Sequence, residues 1–373
     1  MSAAQPKFLV DPYLEWTKKE GIPIHEDFGV DLTTAAVAPW PRLGDKCQAS
    51  FVHLHGRGDW MTIFVLEIPP GGSSAPQQHL YDEIFYVLSG QGSMVVELPD
   101  GTKRSFEWGP RAMFAPPLNA KYRIFNASGR EPARLACAND LRVMMNILHD
   151  EKFFFDNPYE FPEREQPAGY YAGEGEMTSI RPGRHLWETN FVPDLGAFEL
   201  KAWEARGAGS SNIQFLLSES SIGAHVSEMP VGTYKKGHRH GPGLHVLFIH
   251  GSGYSLLWYH GDKDYKRVEW KHGVVFAPPD EMFHQHFDTS ARPARYLALG
   301  FGSKRYPIVL ERRLGSEGRR SDVSIKDGGA QIEYADQDPR LHAIWLEEIA
   351  KTGVKSQMGK YIDESIYSRP AAE

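Results

Sequence analysis

Histidine is the residue type around which chemistry in this chain has to be built. Sixteen histidines occur in 373 residues, and nine of them fall between His225 and His286. His238 and His240 follow the run Gly232-Thr-Tyr-Lys-Lys-Gly. Residues i and i+2 of an extended strand project from one face, so this pair can grip a single ion. The spacing alone is weak, because chance gives about 0.7 His-x-His in a chain of this make-up. Three are present, at His53/His55, His238/His240 and His284/His286. Only two cysteines occur, Cys47 and Cys137, which excludes a disulfide scaffold and a cysteine-based zinc module.

The elements that must position these side chains are strands. Gly 36, Pro 26 and 12% aromatic residues, spread among short apolar runs, describe a turn-rich β protein. The chain also repeats itself. Residues 83–135 and 244–296 share their landmarks in order: Gly90 with Gly251, Gly92 with Gly253, Glu107-Trp108 with Glu269-Trp270, Phe114-Ala-Pro-Pro117 with Phe276-Ala-Pro-Pro279, and Pro132-Ala-Arg134 with Pro293-Ala-Arg295. Two copies of one antiparallel unit predict two small β-barrels or sandwiches. Helices are predicted at both ends. Asp11-Pro12 and Asp338-Pro339 each supply an N-cap and a first-turn proline, and Gly21 and Gly353 close the elements. Both helices read as covers or dimer contacts.

At this point the sequence resembles the cupin superfamily. The family's first motif, G-x5-HxH-x3/4-E-x6-G, matches Gly232, His238, His240 and Gly251. Its second, G-x5-PxG-x2-H-x3-N, matches Gly273, Pro279 and His284, with Glu281 and Asp288 in place of Gly and Asn. The resemblance covers roughly residues 60–140 and 210–300. It implies an all-β bicupin, two tandem double-stranded β-helix (jelly-roll) barrels with flanking N- and C-terminal helices. The expected divisions are an N-terminal helix and arm (1–50), a first barrel (51–150), a linker (151–205), a second barrel (206–305) and a C-terminal extension with helix (306–373). It also implies that His238, His240 and His284 bind one divalent metal. The family's carboxylate ligand falls here on Leu244, or on His245 with the longer gap, and neither is a carboxylate. In the first copy Gln77, His79, Glu83 and Tyr122 stand at the corresponding places, a poor site that reads as structural or ligand-holding.

On regular strands Tyr234 and Lys236 share the face of His238, and His286 that of His284. His286 is expected as a base or hydrogen-bond partner, and Lys236 as a contact for an anionic group or a reduced oxygen species. His225 and His245 divide evenly between site and packing roles, while Trp258 and Trp270 read as core.

A site of histidines alone leaves a divalent ion its full charge. Three-histidine iron sites in the family belong to dioxygenases such as the gentisate type. The expected function is a mononuclear non-haem Fe(II) dioxygenase cleaving a C–C bond of a small, oxygenated, anionic substrate with O2. Manganese, nickel or zinc also suit such ligands. They would go with a non-oxidative lyase, decarboxylase, isomerase or hydrolase; a ligand-binding accessory protein is the third reading. A formal charge of -7, with 41 Lys+Arg against 48 Asp+Glu, argues against a nucleic-acid surface. No apolar run approaches membrane length. The opening MSAAQPKFLVDPYLEW lacks a charged then apolar leader, so a cytoplasmic protein is expected. Sheet edges and terminal helices point to a homodimer or higher homo-oligomer.

Overall fold

The computed structural model describes residues 8–56, 60–241, 244–308 and 321–366. The shared landmarks correspond to one topology built twice. In the first barrel the strands Gln48–Leu54, Thr62–Ile68, Ala133–Asn139, Glu83–Ser89 and Met113–Phe114 lie side by side. They face a three-stranded sheet of Lys121–Asn126, Gly92–Glu97 and Lys103–Trp108. In the second, Ser211–Leu217, Ile222–Met229, Ala294–Phe301, His245–His250 and Val274–Phe276 face Lys266–Trp270, Gly253–Trp258 and Phe283–Asp288.

The repeated landmarks have physical causes. A Cβ at Gly92 would lie 1.9 Å from the Phe125 carbonyl and against the Trp108 ring; at Gly253 it would lie 2.0 Å from the Phe287 carbonyl and against Trp270. Only glycine tolerates that approach. The glycine of the family's second motif falls on Glu281, whose φ is +58°, and the first barrel's equivalent, Asn119, has φ +57°. Both turns hold a left-handed backbone although neither residue is a glycine.

The interval expected as a linker does more than connect. Arg184–Thr189 runs parallel to Ser211–Leu217 of the second barrel, and Phe191–Val192 then adds to Met113–Phe114 of the first. The N-terminal arm mirrors it. Ile24–Asp27 pairs with Gln48–Leu54 of the first barrel, and Gly29–Asp31 with Val274–Phe276 of the second. Each crossing covers sheet-edge N–H and C=O groups that would otherwise lack partners. The two arginines of the repeated Pro-Ala-Arg landmark hold the crossings. Arg134 donates to the Leu32 and Ala35 carbonyls, and Arg295 to those of Leu195 and Phe198. Between the barrels the large sheets bury Val52, Ile63, Val65, Ile213, Val226 and Leu297 in one core.

The end helices span Pro12–Glu20 and Pro339–Thr352, capped by Asp11 and Asp338 and closed by Gly21 and Gly353 in left-handed conformation. Trp16 packs on Phe51 and Phe64 of the first barrel, and Trp345 donates to the Asp288 carbonyl of the second. Among the described residues no helix is long and apolar enough to cross a membrane.

Candidate metal centre

His238 and His284 face each other across a backbone bridge, each donating its N–H to the other's carbonyl at 3.1 and 2.8 Å. Ring centroids are 4.0 Å apart for His238–His284, 4.9 Å for His240–His284 and 5.3 Å for His238–His240. One ligand atom from each of the three lies within 4.8 Å of the others. Among the described residues this is the one group of three or more His, Cys, Asp or Glu so arranged. His284 Nδ1 lies 3.2 Å from the Met282 carbonyl. That contact fixes the tautomer and leaves Nε2 for an ion. The Nδ1 atom of buried His238 has no hydrogen-bond partner. Burial pushes the His284 pKa down to about 3 and that of His238 well below the usual imidazole value. The rings are therefore neutral, as ligands must be. The donor set fits a divalent ion that accepts imidazole.

The three rings line a cavity of about 70 Å³ in the second barrel. Leu244 and Val246 line it too, whereas the adjacent Leu247 and Ile249 belong to the inter-barrel core. Strand alternation thus turns His245 away from the cavity. Leu244, not His245, occupies the fourth-ligand position, and the set has no carboxylate.

His286 is buried and lines the cavity beside His284, with centroids 5.6 Å apart. Its Nδ1 lies 2.8 Å from Ser255 Oγ, which accepts from Trp270 Nε1 at 3.1 Å. Indole N–H only donates, so the Ser255 hydroxyl proton has His286 Nδ1 as its acceptor. The His286 proton is then on Nε2. The ring is a neutral N–H donor, which does not suit a base.

Tyr234 and Lys236 are not in the cavity, contrary to the expectation from strand alternation. Tyr234 bridges to Phe287 and His238 to His284, so four residues on one strand span three on the other. The extra residue is a β-bulge, and it reverses the side-chain parity between them. Tyr234 packs outward against Trp345, its hydroxyl 3.0 Å from His342 Nδ1. Lys236 pairs with Glu333 at 2.6 Å. Lys235 points inward instead, with Nζ donating to Ser227 Oγ. Trp270 stacks on Phe248 at 3.9 Å as core, and Trp258 packs on Phe283.

Arg184, Trp203, Arg206, His225, Ser227, Tyr296 and Ser321 also line the cavity. Apart from His225, the sequence reading did not select them. Their signal lay in the repeat. Strand pairing places Phe64 opposite Cys137 and Leu66 opposite Leu135 in the first barrel, and His225 opposite Ala298 and Ser227 opposite Tyr296 in the second. Positions apolar in one copy and polar in the other mark the site.

The first barrel's counterpart is closed. Gln77 bridges to Tyr122, as His238 does to His284. Gln77 Nε2, however, donates to the backbone carbonyls of Arg42 and Ala75. His79 Nε2 lies 3.2 Å from Glu83 Oε1 and 3.1 Å from Tyr122 Oη, and Cys137 Sγ donates to Glu83. The His79 ring stacks on Tyr81 at 3.8 Å. With the same backbone pairing and the same bulge in both copies, the fold is decided. The chain folds as two jelly-roll barrels of one topology.

No protein-family model matches this chain, and no curated protein matches it. Solved structures do. A Lactobacillus farciminis oxalate decarboxylase in complex with formate is 11% identical, with TM-score 0.49, covering 78% of this chain and 90% of that one. Bacillus subtilis oxalate decarboxylase at pH 4.6 is 14% identical, with TM-score 0.48 over 74% and 76%. A structure of that enzyme concerned with its Mn(II) centres is 14% identical, with TM-score 0.47 over 74% and 77%. Likeness of this grade describes the course of the chain and lends it neither substrate nor metal.

Proposed function

We propose that this bicupin is a metal-dependent enzyme, a mononuclear non-haem Fe(II) dioxygenase that cleaves a C–C bond of a small oxygenated substrate with O2. The observation that carries this reading is the His238–His240–His284 constellation with Leu244 in the carboxylate position. A divalent ion bound there keeps its full +2 charge and open positions, and supplies Lewis acidity towards a chelating substrate. The chain's own part is to orient and enclose. The Met282 carbonyl aims His284. His286, held by Ser255, offers its Nε2–H to a substrate oxygen.

A second reading is a non-oxidative lyase, decarboxylase or isomerase using manganese, nickel or zinc. Lys235 on the cavity wall favours it, because burial lowers its pKa and makes its ammonium form a stronger acid, and C–C cleavage without oxidation ends in protonation of carbon.

The test is an oxygen-electrode assay of the iron-loaded protein with catechols and with 2-oxo and 2-hydroxy carboxylates, products followed by mass spectrometry. Substrate-dependent uptake of one O2 per product, with both oxygen atoms incorporated, is expected. Cleavage without O2 uptake moves the assignment to the second reading. Metal bound without turnover of any candidate leaves a binding protein.

A further inference from the structure

We propose that Lys235, Arg206 and Arg184 form an anion-binding subsite in the metal cavity, built for a compact dianion of the dicarboxylate or 2-oxo-dicarboxylate class. The inference deepens the enzyme reading above and relies on it only for what the three histidines hold.

All three basic side chains line the same cavity as the histidines. Lys235 is 1% exposed and Arg206 5% exposed. Their contacts are neutral. Lys235 donates to Ser227 Oγ; Arg206 donates to the Ser321 carbonyl and to Gln331 Oε1 at 3.0 Å; Arg184 lies over the Trp203 ring at 3.8 Å. Among the described residues none of the three has an ion-pair partner, although nearby acids are taken. Glu228 holds Arg295, Glu333 holds Lys236 and Asp322 holds Arg181. Asp322 and Glu333 act on the two arginines only from beyond ion-pair distance, and burial drives the Lys235 pKa well below its usual value. Three basic groups buried without a directly paired acid on one cavity wall are costly and are not there for stability. The neutral histidines offer no compensation, and a divalent ion would add to the imbalance. The missing negative charge has to arrive with a ligand.

The chemistry of the wall narrows the ligand further. A guanidinium reads a carboxylate through two parallel N–H donors, whereas an ammonium acts as a point charge. A cavity of about 70 Å³ admits a handful of non-hydrogen atoms, far below the few hundred Å³ that larger organic ligands need. The first barrel supplies a contrast. The bulge places Ser74 where the second barrel has Lys235, since each donates its backbone N–H across the strand pair, to Ile124 and His286 respectively.

The experiment measures binding of malonate, and of its uncharged isostere malonamide, to the metal-free full chain by calorimetry and thermal shift. Metal content is assayed separately. Malonate is expected to bind and to raise Tm, with malonamide at least tenfold weaker. Lys235→Met is expected to weaken malonate at least tenfold, to leave metal content unchanged, and to keep or raise the ligand-free Tm, since it replaces a buried polar amine with an apolar side chain of similar length. A purely structural lysine would lower that Tm on removal. Arg184→Gln, at a half-buried position, gives an independent reading if Lys235→Met does not fold. Equal binding of malonate and malonamide, no binding of either at millimolar concentration, or variants within twofold of the parent would overturn the proposal. Loss of the metal reading would show differently, as an absence of metal whatever malonate does.

Discussion

The two barrels share strand order, bulge and left-handed turn, yet their interiors have opposite characters. Where the first buries Phe64, Leu66, Ile124 and Leu135, the second has His225, Ser227, His286 and Tyr296. Gln77, Ser74 and Tyr122 stand against His238, Lys235 and His284. The first barrel spends its interior on packing; the second keeps a polar cavity. A jelly-roll frame therefore does not need its metal site to be stable, because the arms, inter-barrel core and end helices hold both copies alike. What distinguishes them is a set of inward side chains whose substitution leaves the backbone in place.

The comparison can be broken most forcefully with acid. Burial holds the imidazoles of His238, His284 and His286 neutral, with lowered pKa values, in the folded state. The unfolded chain takes up their protons as pH falls below about 6.5, while the folded chain resists, so stability is lost as pH drops through that window. The metal-free protein is expected to lose up to about 4 kcal/mol per pH unit between pH 6 and 5 from these three groups. Denaturant melts at pH 7, 6 and 5 with a chelator present would show it, and a flat profile would place the histidines in water.

Next in size are the end helices, where the barrels should behave alike. Trp16→Ala and Trp345→Ala each remove a buried indole and are expected to cost about 3–5 kcal/mol by denaturant unfolding. A cost under about 1 kcal/mol for either would mean that its helix is not a structural cover.

Leu244→Glu should then sharpen the contrast by returning a carboxylate to the second barrel's ligand set. Divalent-metal affinity, measured by competition with a chromophoric chelator, is expected to rise at least tenfold. No change would mean that the Leu244 side chain does not face the ion. The smallest effect is expected from the double change Gln77→His with Tyr122→His, which copies two ligands into the first barrel beside His79. A second, weak metal equivalent should appear at millimolar metal. Its absence would show that the Tyr81 stack and the His79–Glu83 contact keep that interior closed.

Much of the frame was legible in the sequence because its landmarks are backbone requirements. Gly92 and Gly253 admit no Cβ, Asp11 and Asp338 cap helices, and Arg134 and Arg295 tie the crossing arms. The crossings themselves were not legible, since strands as short as Gly29–Asp31 and Phe191–Val192 have no periodicity of their own. The site was legible where its residues lie on regular strands, as with His286 beside His284. Lys236 and Tyr234 were misplaced because a bulge is invisible to alternation, and it turned Lys235 inward in their stead. Arg184 and Arg206 lie outside the motifs and reach the cavity only through tertiary folding.

The central claim, that one barrel holds a metal and its copy does not, is tested most directly by elemental analysis of the purified chain beside two variants, His284→Ala and His79→Ala. The account predicts about one divalent ion per chain, lost with His284→Ala and retained with His79→Ala. A metal-free parent that takes none up on reconstitution, or metal that survives His284→Ala, would contradict it.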